Sequence, residues 1–381
     1  MEKTQTHAGL PCCGTTVAEL PRCQTSEGES RRVHWRQIGL IVAGAIAAIG
    51  SVVALLIFWP YAGFRQPVTI LLPRGTTSYQ IARELAAHHV IRSRWLFLIV
   101  RLFRPRDVLK AGEYRFERPA SVVEVFDRIA RGDVVIHELR IPEGSTMFEI
   151  ASLVAQLGWI RREEFLAVAL DPTPIRDLAP QARSLEGYLF PSTYYVTRDM
   201  DARAISNMML KQFRKVWAEL DAPYDRVHEI VTVASIVEEE TAVPEERPLV
   251  ASVVWNRLRR GMRLECDPTA IYAAILSGEY QGHLTRADLE RPHPYNTYYV
   301  AGLPPGPIAN PGRASLLAAL HPAQTDYLFF VARPDGSGAH KFSSDFDAHN
   351  RAVRRYRLAA RQNHHQAKAP TVPGRTRRSS Y

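Results

Sequence analysis

The feature that most constrains this chain is an uncharged apolar segment near its start, residues 38–59. It reads IGLIVAGAIAAIGSVVALLIFW and has roughly 22 residues, a length that suits one helical crossing of a hydrocarbon core about 30 Å thick. Trp35 and Trp59 lie where aromatic residues meet a membrane surface. The segment therefore predicts a transmembrane helix over residues 37–60.

Basic residues are distributed unequally around this segment. Arg31, Arg32 and Arg36 precede it, whereas Arg65 alone follows closely. Because cytoplasmic flanks are enriched in Lys and Arg, residues 1–36 are predicted to form a cytoplasmic tail, with the chain after about residue 60 on the outer side of the membrane. A cleaved signal peptide is the alternative, but its basic region would be too long and no clear cleavage site of small residues follows.

The chain of 381 residues carries a net charge of +9, which favours anionic partners. Part of the excess is concentrated at the C-terminus, where residues 358–381 are predicted to form a basic, disordered tail. No nucleic-acid-binding motif accompanies the charge, so no nucleic-acid partner is expected.

The cysteines exclude a disulfide framework after the apolar segment. Cys12, Cys13 and Cys23 precede the segment and Cys266 follows it, so the distal part has no second thiol. The first three lack a second ligand pair at zinc spacing. We therefore predict neither a metal site nor a cofactor.

Two stretches of the chain repeat one another at a fixed offset of 69 positions. Each predicts a short strand, a Pro-x-Gly turn, a capped helix and a second helix. The helix N-cap is Thr77 or Ser78 in the first copy and Ser145 or Thr146 in the second. The matching positions are Pro73, Gly75, Thr77, Ile81, Ala82, Ile91 and Arg92 with Pro142, Gly144, Thr146, Ile150, Ala151, Ile160 and Arg161.

The repeated unit resembles LysM-type carbohydrate-binding modules in its order of elements. The predicted boundaries are 66–136 for a LysM-like subdomain and 137–200 for a second repeat-like unit with its connector. A duplicated structural subdomain without a ligand is the alternative. The two copies need not bind alike, because Arg74 becomes Glu143. The aromatic residues of the connector, LEGYLFPSTYYV (185–196), suit either packing or a sugar groove.

The distal part, residues 201–357, is predicted to be mostly helical. One apolar helix there ends in Glu238, Glu239 and Glu240. Since Glu238 and Glu240 are about 200° apart on a helix, at least one carboxyl group must point toward the packed side. Burial and the negative end of the helix dipole both raise a carboxyl pKa, as a general acid requires. Three solvated side chains at a frayed helix end are the alternative.

Polar residues continue downstream of the glutamates. Asn256 lies in an otherwise apolar helix, and Asp267 stands at a predicted helix start. A long loop, 293–312, is dense in Pro, Gly, Asn and Tyr, and long ordered loops are usually functional.

A predicted hairpin closed by Asp335 and Gly336 precedes a final helix capped near Asp345. His340 and His349 lack the spacing of metal ligands and are predicted to be structural.

Several of these motifs resemble the signatures of the endolytic murein transglycosylases, the YceG-like family. They are SIVEEETAVPEERPLVASVVWNRLRRGMRLECDPTAIY, YNTYYVAGLPPGPIANPG and HKFSSDFDAHN, with AGEYRF, IPEGST and LEGYLFPSTY nearer the apolar segment. The resemblance covers roughly residues 60–357. It implies an α+β fold with a single N-terminal transmembrane helix, LysM-like α/β subdomains, and a mostly helical catalytic domain (201–357) with a small sheet or hairpin.

The resemblance also implies site residues and a reaction. The family's catalytic glutamate directly precedes the threonine of its E-x-E-T motif, which is Glu240 here, and Glu239 stands where the family often has a basic residue. Glu240 is expected to cleave the β-1,4 bond between N-acetylmuramic acid (MurNAc) and N-acetylglucosamine (GlcNAc) in nascent strands, leaving 1,6-anhydro ends. The candidate substrate-binding residues are Glu238, Thr241, Asn256, Asp267, Tyr295, Asn296, Thr297, Leu303 and Pro304.

The partners implied by the resemblance are peptidoglycan glycan strands, the inner membrane and peptidoglycan synthases. Amides such as Asn296 are expected to stabilise the developing charge or hold the N-acetyl group. A non-catalytic, membrane-tethered scaffold is one alternative. A hydrolytic muramidase is another, and it would need Glu238 or Asp267 as a second carboxylate.

Overall fold

The computed structural model of the protein describes residues 27–368, with side chains from residue 35 to residue 359. The predicted cytoplasmic tail is described from residue 27 onward, so Cys12, Cys13 and Cys23 lie outside the described residues. The last part of the predicted basic tail, 369–381, also lies outside them.

A long helix, α1 (Glu27–Phe58), opens the described chain. Its part Trp35–Phe58 is long and apolar enough to cross a membrane, close to the predicted 37–60. Large apolar side chains are exposed along it, among them Leu40, Ile41 and Ile46. Such exposure is expected of a helix surrounded by lipid.

The chain divides into two compact units. Of the described residues, the first unit comprises those up to 68 together with 77–108 and 116–130. The second comprises 69–76, 109–115 and 131–368.

The first unit contains α1, α2 (Ser78–Ala87), α3 (Arg94–Phe103) and most of α4 (Val122–Arg131). Its core joins the inner faces of these helices, where the rings of Phe97 and Phe126 lie 5.3 Å apart. Both rings are fully buried, together with Leu85, Val125 and Ile129.

The strands of the described chain form small two-stranded sheets. β1 (Val68–Leu72) pairs with β2 (Gly112–Phe116). β3 (His137–Arg140) pairs antiparallel with β4 (Thr193–Val196), so that His137 faces Val196. This mixture of many helices with small sheets agrees with the predicted α+β class.

Both copies of the repeat show the order strand, helix, helix, strand. In the second copy the helices are α5 (Met147–Ala155) and α6 (Arg162–Ala169). Thr77 and Thr146 are the N-caps, and each forms a capping box with the residue three positions later, Gln80 and Glu149 respectively. Thr was therefore the correct choice between the two predicted caps in each copy.

The second unit is completed by the distal helices, a hairpin and short 3₁₀ turns at 173–175, 224–226 and 244–246. Its distal helices are α7 (Ala202–Glu219), α8 (Val227–Glu240), α9 (Arg247–Arg259), α10 (Asp267–Leu276), α11 (Arg286–Glu290), α12 (Arg313–Leu320) and α13 (Phe346–Lys368). Every residue from Ile230 to Val237 is buried, because α8 packs between α9 and α12. The all-round apolar helix therefore lies at the centre, as its sequence predicts.

The aromatic connector 185–196 packs mainly inward. Tyr188, Phe190 and Tyr194 are buried in one core that also contains α8, whereas Tyr195 is exposed. These contacts favour packing over a sugar groove for this segment.

The predicted hairpin is formed by β5 (Phe329–Ala332) and β6 (His340–Ser343), which pair antiparallel. The Asp345 carboxylate accepts the amide of Ala348 at 2.7 Å and caps α13. The helix then continues to Lys368, into the segment 358–381 that the sequence predicts to be disordered.

Candidate active site

The three consecutive glutamates at the end of α8 face three different surroundings. Glu238 accepts a hydrogen bond from Arg247 at 3.1 Å and another from the backbone N–H of Gly312 at 2.8 Å. The carboxylate of Glu239 is directed outward and lies against the backbone of Gly144. Glu240 lines a pocket. Divergence around the helix therefore leaves one glutamate facing this cavity.

The pocket that contains Glu240 has a volume of about 280 Å³. Segments that are far apart in the sequence enclose it, including α8, α9, the start of α10 and α13. Apart from apolar side chains, its lining consists of Glu240, Arg257, Glu265, Cys266, Asp267, Tyr298 and His349. It therefore combines one buried acid with several polar groups.

Burial raises the pKa of the Glu240 carboxyl to about 7. The negative charges of Asp267 and Glu239 raise it further, whereas the positive charge of Arg257 acts in the opposite direction. A carboxyl group with this pKa is partly protonated at neutral pH and can donate its proton.

Arg257 connects the walls of the pocket. Its guanidinium donates to the carbonyl oxygen of Leu328 at 2.6 Å and to that of Leu264 at 2.7 Å. The same group lies over the ring of Phe329, 5.1 Å from its centroid. Arg257 thus holds the hairpin and the approach to α10 together while contributing positive charge near Glu240.

Two predicted site residues lie at one corner of the pocket: Asp267 lines it, and Thr297 lies behind the lining. The hydroxyl oxygen of Thr297 accepts the backbone N–H of Cys266 at 3.0 Å and lies 2.8 Å from the hydroxyl of Thr269. Tyr298 donates to Asp267 at 2.6 Å. The N-cap of α10 is Cys266, one position before the predicted Asp267. Thr297 is fully buried, and its hydroxyl fixes the backbone at the start of α10.

Asn256 and Asn296 are buried away from the pocket. Asn256 donates to the carbonyl oxygens of Thr325 and Tyr327 at 2.8 and 2.9 Å. The amide of Asn296 donates to three carbonyls at the end of α11, those of Asp288, Leu289 and Arg291. Both amides stabilise loops, and this placement does not support the expected contact between Asn296 and a sugar.

The remaining predicted residues also lie outside the pocket lining. Thr241 is buried at the turn after α8 and donates to Glu246 at 3.4 Å. Tyr295 packs on Tyr272 with ring centroids 5.2 Å apart. Leu303 is half-buried and Pro304 is buried. The structure places these side chains in the packing around the site.

A buried carboxyl group absent from the predicted site residues is Glu186, in the LEGYLFPST motif. It accepts the backbone N–H of Met147 at 2.9 Å, the hydroxyl of Tyr272 at 2.9 Å and the amide of Asn310 at 2.7 Å. Burial raises its pKa to about 8. A lone charged residue in an otherwise apolar motif was the signal that could have identified it.

The two histidines predicted to be structural differ in their surroundings. His340 lies 2.7 Å from the carboxylate of Glu246 through its Nδ1 atom. His349 stacks on Phe329, and its Nδ1 atom is buried without a hydrogen-bond partner among the described residues. His349 also lines the pocket of Glu240. Its side chain therefore belongs to the candidate site as well as to the packing against Phe329.

The two copies of the repeat differ at the turn residue that the sequence singles out. Arg74 forms an ion pair with Asp199 at 2.9 Å. Its counterpart Glu143 lines an open cleft with Glu149 and Glu239. The copies therefore present opposite charges at equivalent positions.

Comparison with known proteins shows which family this chain is similar to. The sequence model of the YceG-like family matches residues 70–355. An endolytic murein transglycosylase of Bacillus subtilis (strain 168) is 32% identical over 309 residues, which span 76% of this chain and 84% of that protein. An endolytic murein transglycosylase of Streptococcus pneumoniae serotype 2 (strain D39) is 28% identical over 77% of this chain and 59% of its own length. A crystal structure of a YceG-like protein from Listeria monocytogenes is 31% identical, with a TM-score of 0.49 over 76% of this chain and 99% of that chain.

Proposed function

This chain belongs to the YceG-like family, and from that membership we propose that it is a membrane-anchored endolytic lytic transglycosylase of peptidoglycan. Its substrate is the MurNAc–GlcNAc β-1,4 bond of nascent glycan strands, and its products end in 1,6-anhydro-MurNAc. Curated relatives named endolytic murein transglycosylase support the reaction class. The assignment of the reaction to Glu240 rests on the site itself.

The observation that carries this assignment is the position of Glu240 in a pocket with its pKa raised to about 7. The pKa of Glu239 is also raised to about 7, by desolvation and by Glu149 and Glu238, but Glu239 lines the open cleft with Glu143 and Glu149 and is not part of the pocket lining. The carboxylate of Glu238 accepts hydrogen bonds from the Arg247 side chain and the backbone N–H of Gly312. Of the three glutamates, Glu240 alone joins a raised pKa to the enclosed, polar pocket.

In the proposed reaction, Glu240 donates its proton to the glycosidic oxygen as the bond from that oxygen to C1 of MurNAc breaks. The sugar passes through an oxocarbenium-like state. The ionised carboxylate then takes the proton of the MurNAc C6 hydroxyl, whose oxygen attacks C1 and closes the anhydro ring. Glu240 ends protonated and no water is consumed, so one carboxyl group suffices, unlike the two used by most glycosidases.

The groups around Glu240 have separate roles in this proposal. Asp267, held by Tyr298, favours the protonated form of Glu240 through its negative charge. Arg257 favours the ionised form through its positive charge, and the second step requires that form. Thr297 positions Cys266 and Asp267, and Asn256 and Asn296 stabilise the surrounding loops.

We also propose that the two strand–helix–helix–strand segments are LysM-like units that hold the glycan strand. Their shared order of elements and matched capping boxes at Thr77 and Thr146 support this reading. The functional boundaries 66–136, 137–200 and 201–357 stay predictions.

The anchor in this proposal is α1, with its N-terminus in the cytoplasm and the catalytic region on the outer side of the inner membrane. The arginines before the apolar segment support this orientation. Peptidoglycan synthases are the expected protein partners, because such an arrangement brings the site to strands as they are made.

Digestion of purified glycan strands by the full chain, followed by mass spectrometry of the products, tests the function. The wild-type protein and its Glu239→Gln variant are expected to yield 1,6-anhydro ends, whereas Glu240→Gln yields none. If Glu239→Gln lost activity and Glu240→Gln retained it, the catalytic acid would be Glu239 and the assignment to Glu240 would be wrong.

The same experiment separates the two alternatives. Asp267 lines the same pocket as Glu240, which is the observation that favours a hydrolytic muramidase. Hydrolysis would give reducing ends heavier by one water. Binding of strands without cleavage by the wild-type protein would instead favour the non-catalytic scaffold.

A further inference from the structure

Helix α3 in the first unit has two apolar faces. The inner face, with Leu96, Phe97 and Val100, is buried in the unit. Large apolar side chains are exposed outside this inner face: Trp95 is 60% exposed, Leu102 76% and Phe103 80%. Trp95 and Leu102 are seven positions apart and lie opposite the inner face, and Phe103 adjoins them as the last residue of the helix. The three form one exposed apolar stripe.

The position of α3 along α1 indicates what covers this stripe. α3 contacts α1, and Ile57 in the last turn of α1 is buried, unlike most of the apolar residues before it. The candidate span Trp35–Phe58 is about 36 Å long at the usual helical rise. Since a hydrocarbon core is about 30 Å thick, the last turn of α1 lies at the membrane boundary, and α3 lies beside it.

The chain after α1 keeps the first unit at that depth. The backbone N–H of Tyr61 donates to the carbonyl oxygen of Ala120 at 3.0 Å, and that of Gly63 donates to the carbonyl oxygen of His89, also at 3.0 Å. These contacts begin within a few residues of the end of the span. The first unit therefore has little free linker with which to move away from the bilayer surface.

The charge around α3 is complementary to lipid headgroups. Arg92 and Arg106 are exposed at the two ends of the helix, and Arg94 is half-buried in its first turn. Two further arginines have partners in the protein, because Arg101 donates to the carbonyl oxygens of Arg104 and Asp107 and Arg104 pairs with Asp127. The guanidinium of Arg94 lies 5.2 Å from the centroid of the Trp95 ring. An apolar stripe with Trp at one end and arginines at its borders is typical of helices that lie in a membrane interface.

We propose that α3 is a second membrane contact of this protein, in addition to α1. Its stripe of Trp95, Leu102 and Phe103 enters the boundary between headgroups and acyl chains of the bilayer that α1 crosses. Arg92, Arg94 and Arg106 bind lipid phosphates. The first unit is thereby fixed on the membrane surface. This inference rests on the proposed membrane anchor α1 and not on the proposed enzymatic activity.

The test uses the full chain reconstituted in lipid nanodiscs that contain anionic lipid. Cys12, Cys13 and Cys23 are replaced by Ser, and a nitroxide is attached at Leu102→Cys. The matched control carries the nitroxide at Glu124→Cys, an exposed acidic position in α4 of the same unit. Collisions with oxygen, which dissolves in lipid, are compared with collisions with a water-soluble nickel complex.

Immersion in lipid predicts high oxygen and low nickel accessibility at position 102, and the reverse at position 124. Nickel accessibility at 102 equal to that at 124 would overturn the proposal. Low accessibility to both reagents would also overturn it, because burial against protein, unlike lipid, excludes oxygen as well.

A second variant separates membrane contact from folding. With the nitroxide at Trp95→Cys, Leu102→Glu and Phe103→Glu together are expected to expose position 95 to nickel. Both side chains are exposed in the structure, so the thermal unfolding midpoint should remain close to that of the protein without these two substitutions. Unchanged shielding of position 95 from nickel would mean that protein contacts protect it, and the proposal would fail.

Discussion

The hydroxyl of Tyr298 donates a 2.6 Å hydrogen bond to Oδ1 of Asp267. Both residues line the pocket of Glu240, and the charge of Asp267 contributes to the raised pKa of Glu240. The bond fixes a second carboxylate beside the proposed acid. Asp267 thereby tunes the proton affinity of Glu240 without having to enter the reaction.

The proposed role of Glu240 predicts the alkaline limb of the pH profile. A general acid must be protonated in the free enzyme, and the pKa of Glu240 is about 7. We expect kcat/KM for cleavage to fall about tenfold per pH unit above that pKa. Initial rates between pH 5 and 9 on purified strands measure the limb. A profile that stays flat to pH 9 would contradict the role of Glu240 as acid.

Asp267→Asn is expected to move this limb toward lower pH. The substitution removes a negative charge that raises the pKa of Glu240, so Glu240 ionises earlier. Glu265→Gln is the matched control, because Glu265 also lines the pocket but is not among the charges that shift this pKa. An equal shift in both variants would show that the effect is not specific to Asp267.

Thr297→Val should reduce both stability and kcat. Valine keeps the volume of this fully buried side chain but leaves the backbone N–H of Cys266 without its acceptor. The hydroxyl of Thr269 still donates to the carbonyl oxygen of Cys266. One unpaired buried donor is expected to cost about 1–3 kcal/mol in the free energy of unfolding. Thr297→Ser retains the hydroxyl and is the control. Denaturant unfolding and kcat measured for both variants distinguish loss of the hydroxyl from loss of the methyl group.

Glu186 is expected to make stability depend on pH. Its pKa is near 4.5 in the unfolded chain and about 8 in the folded protein, so between these values the folded state binds more protons. The free energy of unfolding contributed by Glu186 is therefore greatest below about pH 4.5 and decreases as pH rises toward 8. Glu186→Gln cannot ionise, and its unfolding free energy should depend less steeply on pH than that of the wild-type protein.

Glu186→Ala tests the network itself. It leaves the N–H of Met147, the hydroxyl of Tyr272 and the amide of Asn310 without their acceptor, at a cost of at least about 2 kcal/mol. Glu186→Gln should cost less at pH 6, because its carbonyl oxygen still accepts. Equal unfolding free energies for the two variants would argue against the network.

Gly187 has a positive φ of 87°, and a Cβ atom there would lie 2.4 Å from Cγ of Pro307 and 2.9 Å from Cγ1 of Val231. Backbone strain and overpacking together predict a loss of at least about 2–3 kcal/mol for Gly187→Ala. Gly75→Ala has a similar φ of 82° with open space around the new atom, so it should lose about 1–2 kcal/mol from strain alone. Denaturant unfolding of both variants measures the difference.

Much of the local structure could be predicted from the sequence. The apolar segment predicted the long helix α1, the repeat predicted two matched helix starts, now located at Thr77 and Thr146, and the apolar pattern predicted a helix that ends at the three glutamates. Such features depend on neighbours within a few residues, through backbone geometry, capping and hydrophobic periodicity. The resemblance to a known family pointed to Glu240, and the helical spacing showed that the three glutamates must diverge.

Tertiary structure alone decided which polar residues meet Glu240. Asp267 and His349 reach its pocket from distant parts of the chain, whereas Asn296 is buried beneath its own loop. The lone charge of Glu186 in its apolar motif distinguished this residue, but its hydrogen bonds from Met147 and Asn310 could not be predicted from the sequence. The physical reason is that burial and the charges of neighbours set a carboxyl pKa, and both depend on long-range packing.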